Sequence, residues 1–504
     1  MLDRSPSGLV AYLLLAAGIF CSVAPTLAAE DNALRREPGD RPNVVLIVAD
    51  DLGYADVGCN GSREIRTPHI DSLAKDGARF TSFSVAQAVC TASRAALLSG
   101  CYPNRIGMAG ALNHTSTVGI HPDEFLLSEM FKERGYATAC FGKWHLGTKP
   151  EFFPHRNGFD HWIGLPYSND NGPLHPTVKG IPALPFYSKD KVMHLNPNQA
   201  RFTSQFTEYG TGFITANKAQ PFFLYLPHIM PHVPIFAKEK PADDSPRGLY
   251  RQVVEELDSG VGEILQTLKS LQLEENTIVI FMSDNGPFLS YGNHAGRAEP
   301  FREGKLTTFE GGLRVPFLVR WPGRVPQARV SDELLTGLDL LPSLAALVGG
   351  KLPTERKIDG VDLSPLLLGK PDAKGRAAFA CYSGSELHAV RRGQWKLHVP
   401  HEYLTVDGEP GLNGKPANFA NMKPNPIEQS GIRGIASRHG YRVEKIELSL
   451  FDLSKDPGET KNVAAEHPEI VAELQTLAAN FRTDLGDSLT QTKGTGLRPA
   501  GEAK

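Results

Sequence analysis

Two apolar runs, each followed at once by carboxylate or amide side chains, most constrain how this chain can fold. The run NVVLIVA leads directly into Asp50 and Asp51, and the run TIVIFMS leads directly into Asp284 and Asn285. Short apolar runs of this kind predict buried strands. Ligands bind beyond the carboxyl ends of strands in open α/β sheets, so we expect these four side chains to converge on one crevice.

This oxygen-rich set predicts a site for a hard divalent cation. Three carboxylates and one amide oxygen suit Ca²⁺ or Mg²⁺. The segment CTASRAALLSG places Cys90 and Arg94 on one face of a predicted helix, close to its N-terminus, where an anion is favoured. A soft thiolate would be a poor ligand for such a metal, whereas an oxygen function at residue 90 would be a good one.

Apolar strand-like runs alternate with helix-like patterns over most of the chain, which predicts an α/β fold with a large, mostly parallel sheet flanked by helices. After about Gly369 the pattern changes to short antiparallel strands and a terminal helix, with a long surface loop between Glu409 and Asn425. We therefore expect a large α/β domain over residues 42–370 and a smaller C-terminal α+β subdomain over residues 371–504.

The N-terminus has the pattern of a secretory signal. Arg4 precedes an apolar stretch, and small residues allow cleavage after Ala28 or Ala29, which predicts a signal peptide over residues 1–29. A membrane anchor is the alternative, but the stretch is shorter than the roughly 20 residues that a span needs. The net charge of −3 provides no basic field for nucleic acid. We expect an exported, periplasmic or extracellular protein without a stable membrane anchor.

The motif CTASR resembles the sulfatase signature in which a cysteine is oxidised to formylglycine. Further segments, in order from Pro42 to Gly323 and again near the C-terminus, resemble type I, formylglycine-dependent sulfatases of the arylsulfatase A and N-acetylgalactosamine-6-sulfatase kind; they are DDLGYADVGCNG, GKWHLG, FFLYLPHIMPHVP, SDNGP, GKLTTFEGGLRVP and LFDLSKDPGE. The resemblance implies an alkaline-phosphatase-like fold and hydrolysis of aryl or carbohydrate sulfate monoesters, with the catalytic residues in the larger domain.

The resemblance also implies a ligand set for one Ca²⁺, formed by Asp50, Asp51, Asp284, Asn285 and the oxygen of formylglycine at residue 90. Compensating cations are then required, because three carboxylates would repel an anionic ester. In the family pattern Lys143 and Lys305 hold sulfate oxygens, and Arg94 supports the residue 90 hydrate and the metal cluster; Ser168, in GLPYSND, matches a sulfate-binding serine.

Histidines supply the expected proton transfers. The segment PHIMPHVP offers His228 and His232, and spacing alone does not choose between them. Alignment with the family places His232 at the sulfate, where it would protonate the departing oxygen. His145 matches the histidine that contacts the hydrate and assists the later release of sulfate. We expect Asn169, Asp170 and His175 to lie near the substrate, and Trp144 to have a packing role.

The chain departs from the family at Ala92, where many members have proline. Alanine is a variant of bacterial members, so we expect conversion of Cys90 by a formylglycine-installing maturation enzyme and favour a bacterial source. With Cys21 removed in the signal and Cys90 converted, four cysteines remain: Cys59, Cys101, Cys140 and Cys381. They either form disulfides, with three possible connectivities, or stay as buried thiols.

Two other functions remain open from sequence alone. One is a phosphoester or phosphonate hydrolase of the alkaline phosphatase superfamily, which tends to use a Ser or Thr nucleophile and two metals. The other is a sulfated-glycan binding protein with an inactive site. For the sulfatase, the expected partner is a sulfated small molecule or glycan, with a sugar sulfate favoured. Selectivity is expected in the loops around residues 170–200 and 405–440.

Overall fold

The computed structural model describes residues 41–241, 245–429 and 431–503. The predicted signal peptide over residues 1–29 lies outside these residues. Numbered in chain order, the strands are β1 Asn43–Ala49, β2 Ala78–Phe80, β3 Phe83–Ser84, β4 Val118–Gly119, β5 Ala137–Lys143, β6 His161–Leu165, β7 Pro185–Ser188, β8 Lys191–Leu195, β9 Phe222–Pro227, β10 Thr277–Ser283, β11 Phe317–Arg320, β12 Arg329–Ser331, β13 Leu335–Thr336, β14 Phe379–Ser383, β15 Glu386–Arg392, β16 Trp395–His398, β17 His401–Val406, β18 Tyr441–Ile446, β19 Ser449–Asp452 and β20 Gly501–Glu502.

The helices connect these strands and pack against the sheets. They are α1 Pro68–Lys75, α2 Cys90–Ser99, α3 Leu127–Glu133, α4 Phe202–Ala216, α5 Gly248–Ser270, α6 Glu310–Leu313, α7 Leu340–Val348, α8 Ser364–Leu367, α9 Ile432–His439 and α10 Pro468–Leu485. No helix in the described ranges is both long enough and apolar enough to cross a membrane.

A ten-stranded sheet in the order β12-β2-β11-β10-β1-β9-β5-β6-β7-β8 organises the larger part of the chain. Its central strands β10, β1, β9, β5 and β6 pair in parallel. Strands β11, β7 and β8 pair antiparallel with their neighbours, so the whole sheet is mixed. The parallel centre agrees with the alternating pattern of the sequence, and the antiparallel strands extend it on both sides.

Strand β1 shows why an unbroken apolar run forms the middle of this sheet. Val44, Leu46 and Val48 belong to one apolar core, whereas Val45 and Ile47 belong to another. Successive side chains of a strand point to opposite faces, so β1 contributes to a core on each side of the sheet. Helices α2, α3 and α7 contribute to the first core, and helices α1, α4 and α5 contribute to the second.

The C-terminal part contains the predicted short antiparallel strands and terminal helix. Strands β14, β15, β16 and β19 form an antiparallel sheet, and α10 packs on it through Leu474 and Ala478. Strands β17 and β18 form a separate antiparallel pair beside α9. Between Glu409 and Asn425 the only regular element is a short 3₁₀ turn, which agrees with the predicted loop.

A buried ionic network joins the two parts of the chain. Nζ of Lys396, on β16, lies 2.9 Å from Oε1 of Glu310, on α6, and 2.9 Å from Oε1 of Glu459. Nε2 of His398 also lies 2.9 Å from Glu459, and the ring of His398 stacks near His401. These charges are paired within the interior, so removal of one partner would leave a buried charge uncompensated.

The cysteines in the described ranges are free thiols. Cys90, Cys101, Cys140 and Cys381 are buried, and Cys59 is partly buried. Of the two alternatives left by the sequence, the structure therefore has unpaired cysteines.

Candidate active site

The predicted side chains meet at one edge of the sheet because their strands run parallel. Ala49 and Ser283 are register partners at the ends of β1 and β10, so Asp50 and Asp284 follow side by side. Strand β5 ends at Lys143 and also runs parallel to its neighbours. The crevice expected at the carboxyl ends of the strands is therefore present.

Three carboxylates and three cations form ion pairs with one another in the buried centre of this crevice. Nζ of Lys143 lies 2.5 Å from Oδ2 of Asp50. Arg94 donates from Nε to Oδ2 of Asp284 at 2.9 Å, and its Nη2 lies 3.3 Å from Oδ2 of Asp50. Arg94 also donates from Nη1 to the carbonyl oxygen of Lys143 at 2.9 Å. The guanidinium thus fixes two carboxylates and the end of β5 relative to one another.

The third carboxylate, Asp51, binds the third cation. Nζ of Lys305 lies 2.7 Å from Oδ1 of Asp51, which also accepts a hydrogen bond from Nδ2 of Asn285 at 2.7 Å. Asp51 adopts a left-handed backbone conformation with φ of 66°, which turns the chain sharply after Asp50. Oδ1 of Asn285 is buried and has no hydrogen-bond partner among the described residues.

Cys90 is the first residue of α2 and lies among these groups. Its Sγ is 3.4 Å from Nζ of Lys305 and 3.7 Å from Oδ1 of Asp50. Burial raises the pKa of the Cys90 thiol to about 12, although Lys143 and Lys305 act in the opposite direction. A cysteine here is therefore a neutral thiol at neutral pH, which is a weak nucleophile and a poor ligand for a hard cation.

The donor atoms fit a hard divalent cation. Ligand atoms of Asp50, Asp51, Cys90 and His232 lie within 4.8 Å of one another. The unpartnered oxygen of Asn285 adds a neutral oxygen donor of the kind that Ca²⁺ takes. Asp284 lies outside that group, and its oxygens accept hydrogen bonds from Arg94 and from the backbone N–H of Asp51.

His145 is a neutral imidazole with one free nitrogen. Its Nε2 lies 2.8 Å from the carbonyl oxygen of Leu112, which can only accept, so Nε2 carries the proton. Its Nδ1 is buried without a hydrogen-bond partner among the described residues and is thus a free acceptor. Burial, reinforced by the charge of Lys143, holds the pKa of His145 well below its usual value.

His232 has the opposite arrangement to His145. Its Nδ1 lies 2.5 Å from the carbonyl oxygen of Val233 and therefore carries a proton, and its Nε2 lies 3.7 Å from Oδ2 of Asp51. His228 instead packs against Phe206, and burial lowers its pKa to about 4. His232 lines the cavity described below and His228 does not.

A cavity of about 480 Å³ opens above this centre. Of the residues singled out in the sequence, it is lined by Cys90, His145, Ser168, Asp170, His175, His232 and Lys305. Lys143 is fully buried and does not line the cavity. Asn169 binds Gln199 and the carbonyl of Pro234 instead, and Trp144 donates to the carbonyl of Phe152, as expected for a packing residue.

The C-terminal part forms one wall of the cavity. The sequence motifs did not identify the individual residues of this wall. Its lining residues include Ser383, Glu386, His388, Arg438 and His439. Arg438 and His439 fall within the loop region 405–440 in which selectivity was expected. His388 lies on β15, which carries none of the sequence motifs, so only the folded structure brings it to the cavity.

Fold and site together define an α/β protein in which a buried centre of carboxylates, compensated by cations, lies beneath a cavity lined by polar and apolar residues. The Sulfatase family model matches residues 42–350, and the model for the C-terminal region of aryl-sulfatase matches residues 374–499. A model for the C-terminal part of N-sulphoglucosamine sulphohydrolase matches residues 304–397.

Individual proteins show the same likeness. Arylsulfatase A of Homo sapiens is 37% identical over 467 residues, covering 86% of this chain and 87% of that protein. N-acetylgalactosamine-6-sulfatase of Canis lupus familiaris is 39% identical over 458 residues, covering 86% and 84% respectively. Among solved structures, Ps i-CgsB in complex with k-i-k-neocarrahexaose is 28% identical with a TM-score of 0.69, covering 88% of this chain and 93% of that one.

The chain belongs to the sulfatase family. It is a sulfuric ester hydrolase, and the predicted fold class is confirmed.

Proposed function

We propose that this enzyme hydrolyses a carbohydrate or aryl sulfate monoester by means of a formylglycine formed from Cys90 and one bound Ca²⁺. The observation that carries the proposal is the position of residue 90, at a helix N-terminus between Lys305 and Asp50. A cysteine thiol is a poor ligand for a hard cation, which favours an oxygen function at this residue.

The charges of the centre support binding of an anionic ester once the cation is present. The carboxylates Asp50, Asp51 and Asp284 are balanced by the cations Arg94, Lys143 and Lys305. A divalent ion held by Asp50, Asp51, Asp284, Asn285 and residue 90 would add two positive charges to this balanced set. The centre then attracts a sulfate monoester, which carries one negative charge.

The hydrated formylglycine would supply an oxygen nucleophile, and Ca²⁺ would supply positive charge beside it. Lys305 is placed to hold a sulfate oxygen, since its Nζ is 3.4 Å from the side-chain atom of residue 90. We assign Ser168, in the cavity wall, to a second sulfate contact. Lys143 and Arg94 act from below the cavity, where they keep Asp50 and Asp284 in place.

The two histidines divide the proton transfers between them. His232 donates through Nδ1 to Val233, so Nε2 is the atom that gives a proton to the departing oxygen. Oδ2 of Asp51 lies 3.7 Å from this Nε2. His145 has its free acceptor at Nδ1 and takes a proton from residue 90 when sulfate is released.

The cavity supports a sugar sulfate as substrate. Relatives include an N-acetylgalactosamine-6-sulfatase, and Ps i-CgsB binds a neocarrahexaose. A cavity of about 480 Å³ is within the usual range for small-molecule sites, and the polar residues in its wall can bond hydroxyl groups. We further propose that the protein is exported through a signal peptide over residues 1–29. The boundary between the larger domain and the C-terminal subdomain is proposed between residues 370 and 371. A formylglycine-installing enzyme that accepts Ala92 is proposed to convert Cys90.

Release of inorganic sulfate tests the proposal. The mature enzyme should release sulfate from 4-nitrophenyl sulfate or from methyl galactoside monosulfates, and EDTA should abolish this until Ca²⁺ is restored. Cys90→Ser should lower the rate by several orders of magnitude, because the alcohol of serine is not an aldehyde and cannot form the hydrate. Equal rates for Cys90→Ser and wild type, or faster release of phosphate from matched phosphate esters, would contradict the proposal.

A further inference from the structure

Asp170 is a buried carboxylate in the cavity that the proposed proton and sulfate steps do not use. Its side chain lines the cavity together with His175, His232 and His439. Within the described part of the chain, its one hydrogen-bond donor is Nδ2 of Asn171, 3.0 Å from Oδ1, and it forms no ion pair. A carboxylate has about four acceptor positions, so most of this capacity is unmet by the protein.

This carboxylate works against binding of the sulfate group itself. Burial would raise the pKa of Asp170, but the nearby basic groups, His232 first among them, lower it below its usual value, so the group stays ionised. A negative charge next to an anionic ester opposes binding. A buried carboxylate with few hydrogen bonds is also costly. Asp170 can therefore favour binding only through hydrogen-bond donors on the part of the substrate that carries the sulfate.

The neighbours of Asp170 point to hydroxyl groups as those donors. Nδ1 of His175 accepts the backbone N–H groups of Thr177 and Val178 at 3.1 and 3.0 Å, so its proton is on Nε2. Burial lowers the pKa of His175 and of His439, which makes both rings neutral. A carboxylate acceptor beside a neutral N–H donor matches adjacent hydroxyl groups, each of which can donate and accept.

We propose that Asp170 accepts a hydrogen bond from a hydroxyl of the leaving group and thereby selects sugar sulfates over aryl sulfates. The proposal rests on the proposed sulfatase reaction, and it names the substrate class of that site. A site built to bond a hydroxyl discriminates strongly against an analogue that lacks it, because the buried polar group is then left unpaired.

Binding without turnover tests this directly. The Cys90→Ala protein is titrated calorimetrically with the methyl galactoside and N-acetylgalactosaminide monosulfates, and the tightest ligand is compared with 4-nitrophenyl sulfate. Adding Asp170→Asn should weaken binding of the sugar sulfate about 10- to 100-fold, the effect of one hydrogen bond to a charged group. Binding of 4-nitrophenyl sulfate should be unchanged or tighter, because a repelling charge is removed. Weakening of both ligands by the same factor would overturn the proposal.

The mature enzyme provides a second measurement. Asp170→Asn should lower kcat/KM for the sugar sulfate about 10- to 100-fold and that for 4-nitrophenyl sulfate less than about 3-fold. Asp190→Asn makes the same chemical change at a half-exposed position outside the cavity and should change neither value. Equal losses with both esters would assign Asp170 to the chemical step instead. Absence of sulfate release by wild type would contradict the proposed reaction. The calorimetric comparison would still test whether Asp170 contributes to binding of the sugar sulfate.

Discussion

Replacement of Arg94 by methionine should severely destabilise the protein in the absence of metal. Arg94 is completely buried, and its guanidinium contacts Asp284, Asp50 and the carbonyl oxygen of Lys143. Methionine fills a similar length of the interior without the charge or the donors. The change therefore isolates the electrostatic contribution of the guanidinium.

The expected cost follows from the groups left behind. Without Arg94, the fully buried carboxylate of Asp284 keeps the backbone N–H of Asp51, at 3.2 Å, as its donor. Breaking a buried ion pair costs about 3–5 kcal/mol, and leaving the Lys143 carbonyl unpaired adds to this. We expect a total of about 4–6 kcal/mol, which is a large share of the roughly 5–15 kcal/mol that stabilises most proteins.

Urea denaturation in EDTA measures this cost, with Arg94→Lys as the matched control. Lysine keeps the charge but loses the planar donor geometry, so its cost should be about 1–3 kcal/mol. Ca²⁺ should stabilise Arg94→Met more than wild type, because the ion compensates the buried carboxylate charge that has lost its cation. A cost below about 1 kcal/mol for Arg94→Met, or equal costs for both variants, would refute the electrostatic account of this centre.

Three further changes probe separate parts of the molecule. Lys396→Met should cost about 3–5 kcal/mol in urea denaturation, because it removes the buried cation that Glu310 and Glu459 share, whereas Lys461→Met at the exposed surface should cost under about 0.5 kcal/mol. His232→Ala should lower sulfate release about 10²- to 10⁴-fold, and His228→Phe should change it less than about 3-fold. Burial lowers the pKa of His401 to about 2, so it stays neutral when folded while the unfolded chain takes up a proton below about pH 6.5. Stability should therefore fall from pH 6.5 to 4, and His401→Gln should reduce that slope by about 1.4 kcal/mol per pH unit.

Each of these expectations has a contrary result. Similar costs for Lys396→Met and Lys461→Met would mean that the buried network adds nothing to stability. Similar rates for the two histidine variants would remove His232 from the proton transfer. An unchanged slope between pH 6.5 and 4 in His401→Gln would show that this ring is protonated in the folded protein.

The central sheet and its crevice could be predicted because the sequence marks them locally. The apolar runs before Asp50 and Asp284 coincide with strands β1 and β10, and the helix expected from Cys90 begins at that residue. Parallel pairing then places the strand ends together without any further information. The order of ten strands, and the antiparallel strands at both sides, depend on long-range contacts that no local pattern specifies.

The surroundings of individual side chains could be predicted from the sequence less well than the strands and the crevice. The spacing in PHIMPHVP could not separate His228 from His232, because their difference arises from packing against Phe206 on one side and the cavity on the other. The tautomer of His145 likewise depends on the carbonyl of Leu112, which is remote along the chain. His388 reaches the cavity only because the C-terminal sheet packs against the larger part.

The mass of the tryptic peptide from Phe80 to Arg94 tests the central proposal most directly. The peptide should be taken from protein produced in its natural host or together with a formylglycine-installing enzyme. The account predicts the lower mass that results when the Cys90 thiol is replaced by an aldehyde, in proportion to the sulfate-releasing activity of the preparation. An intact cysteine in protein that is fully active would contradict it.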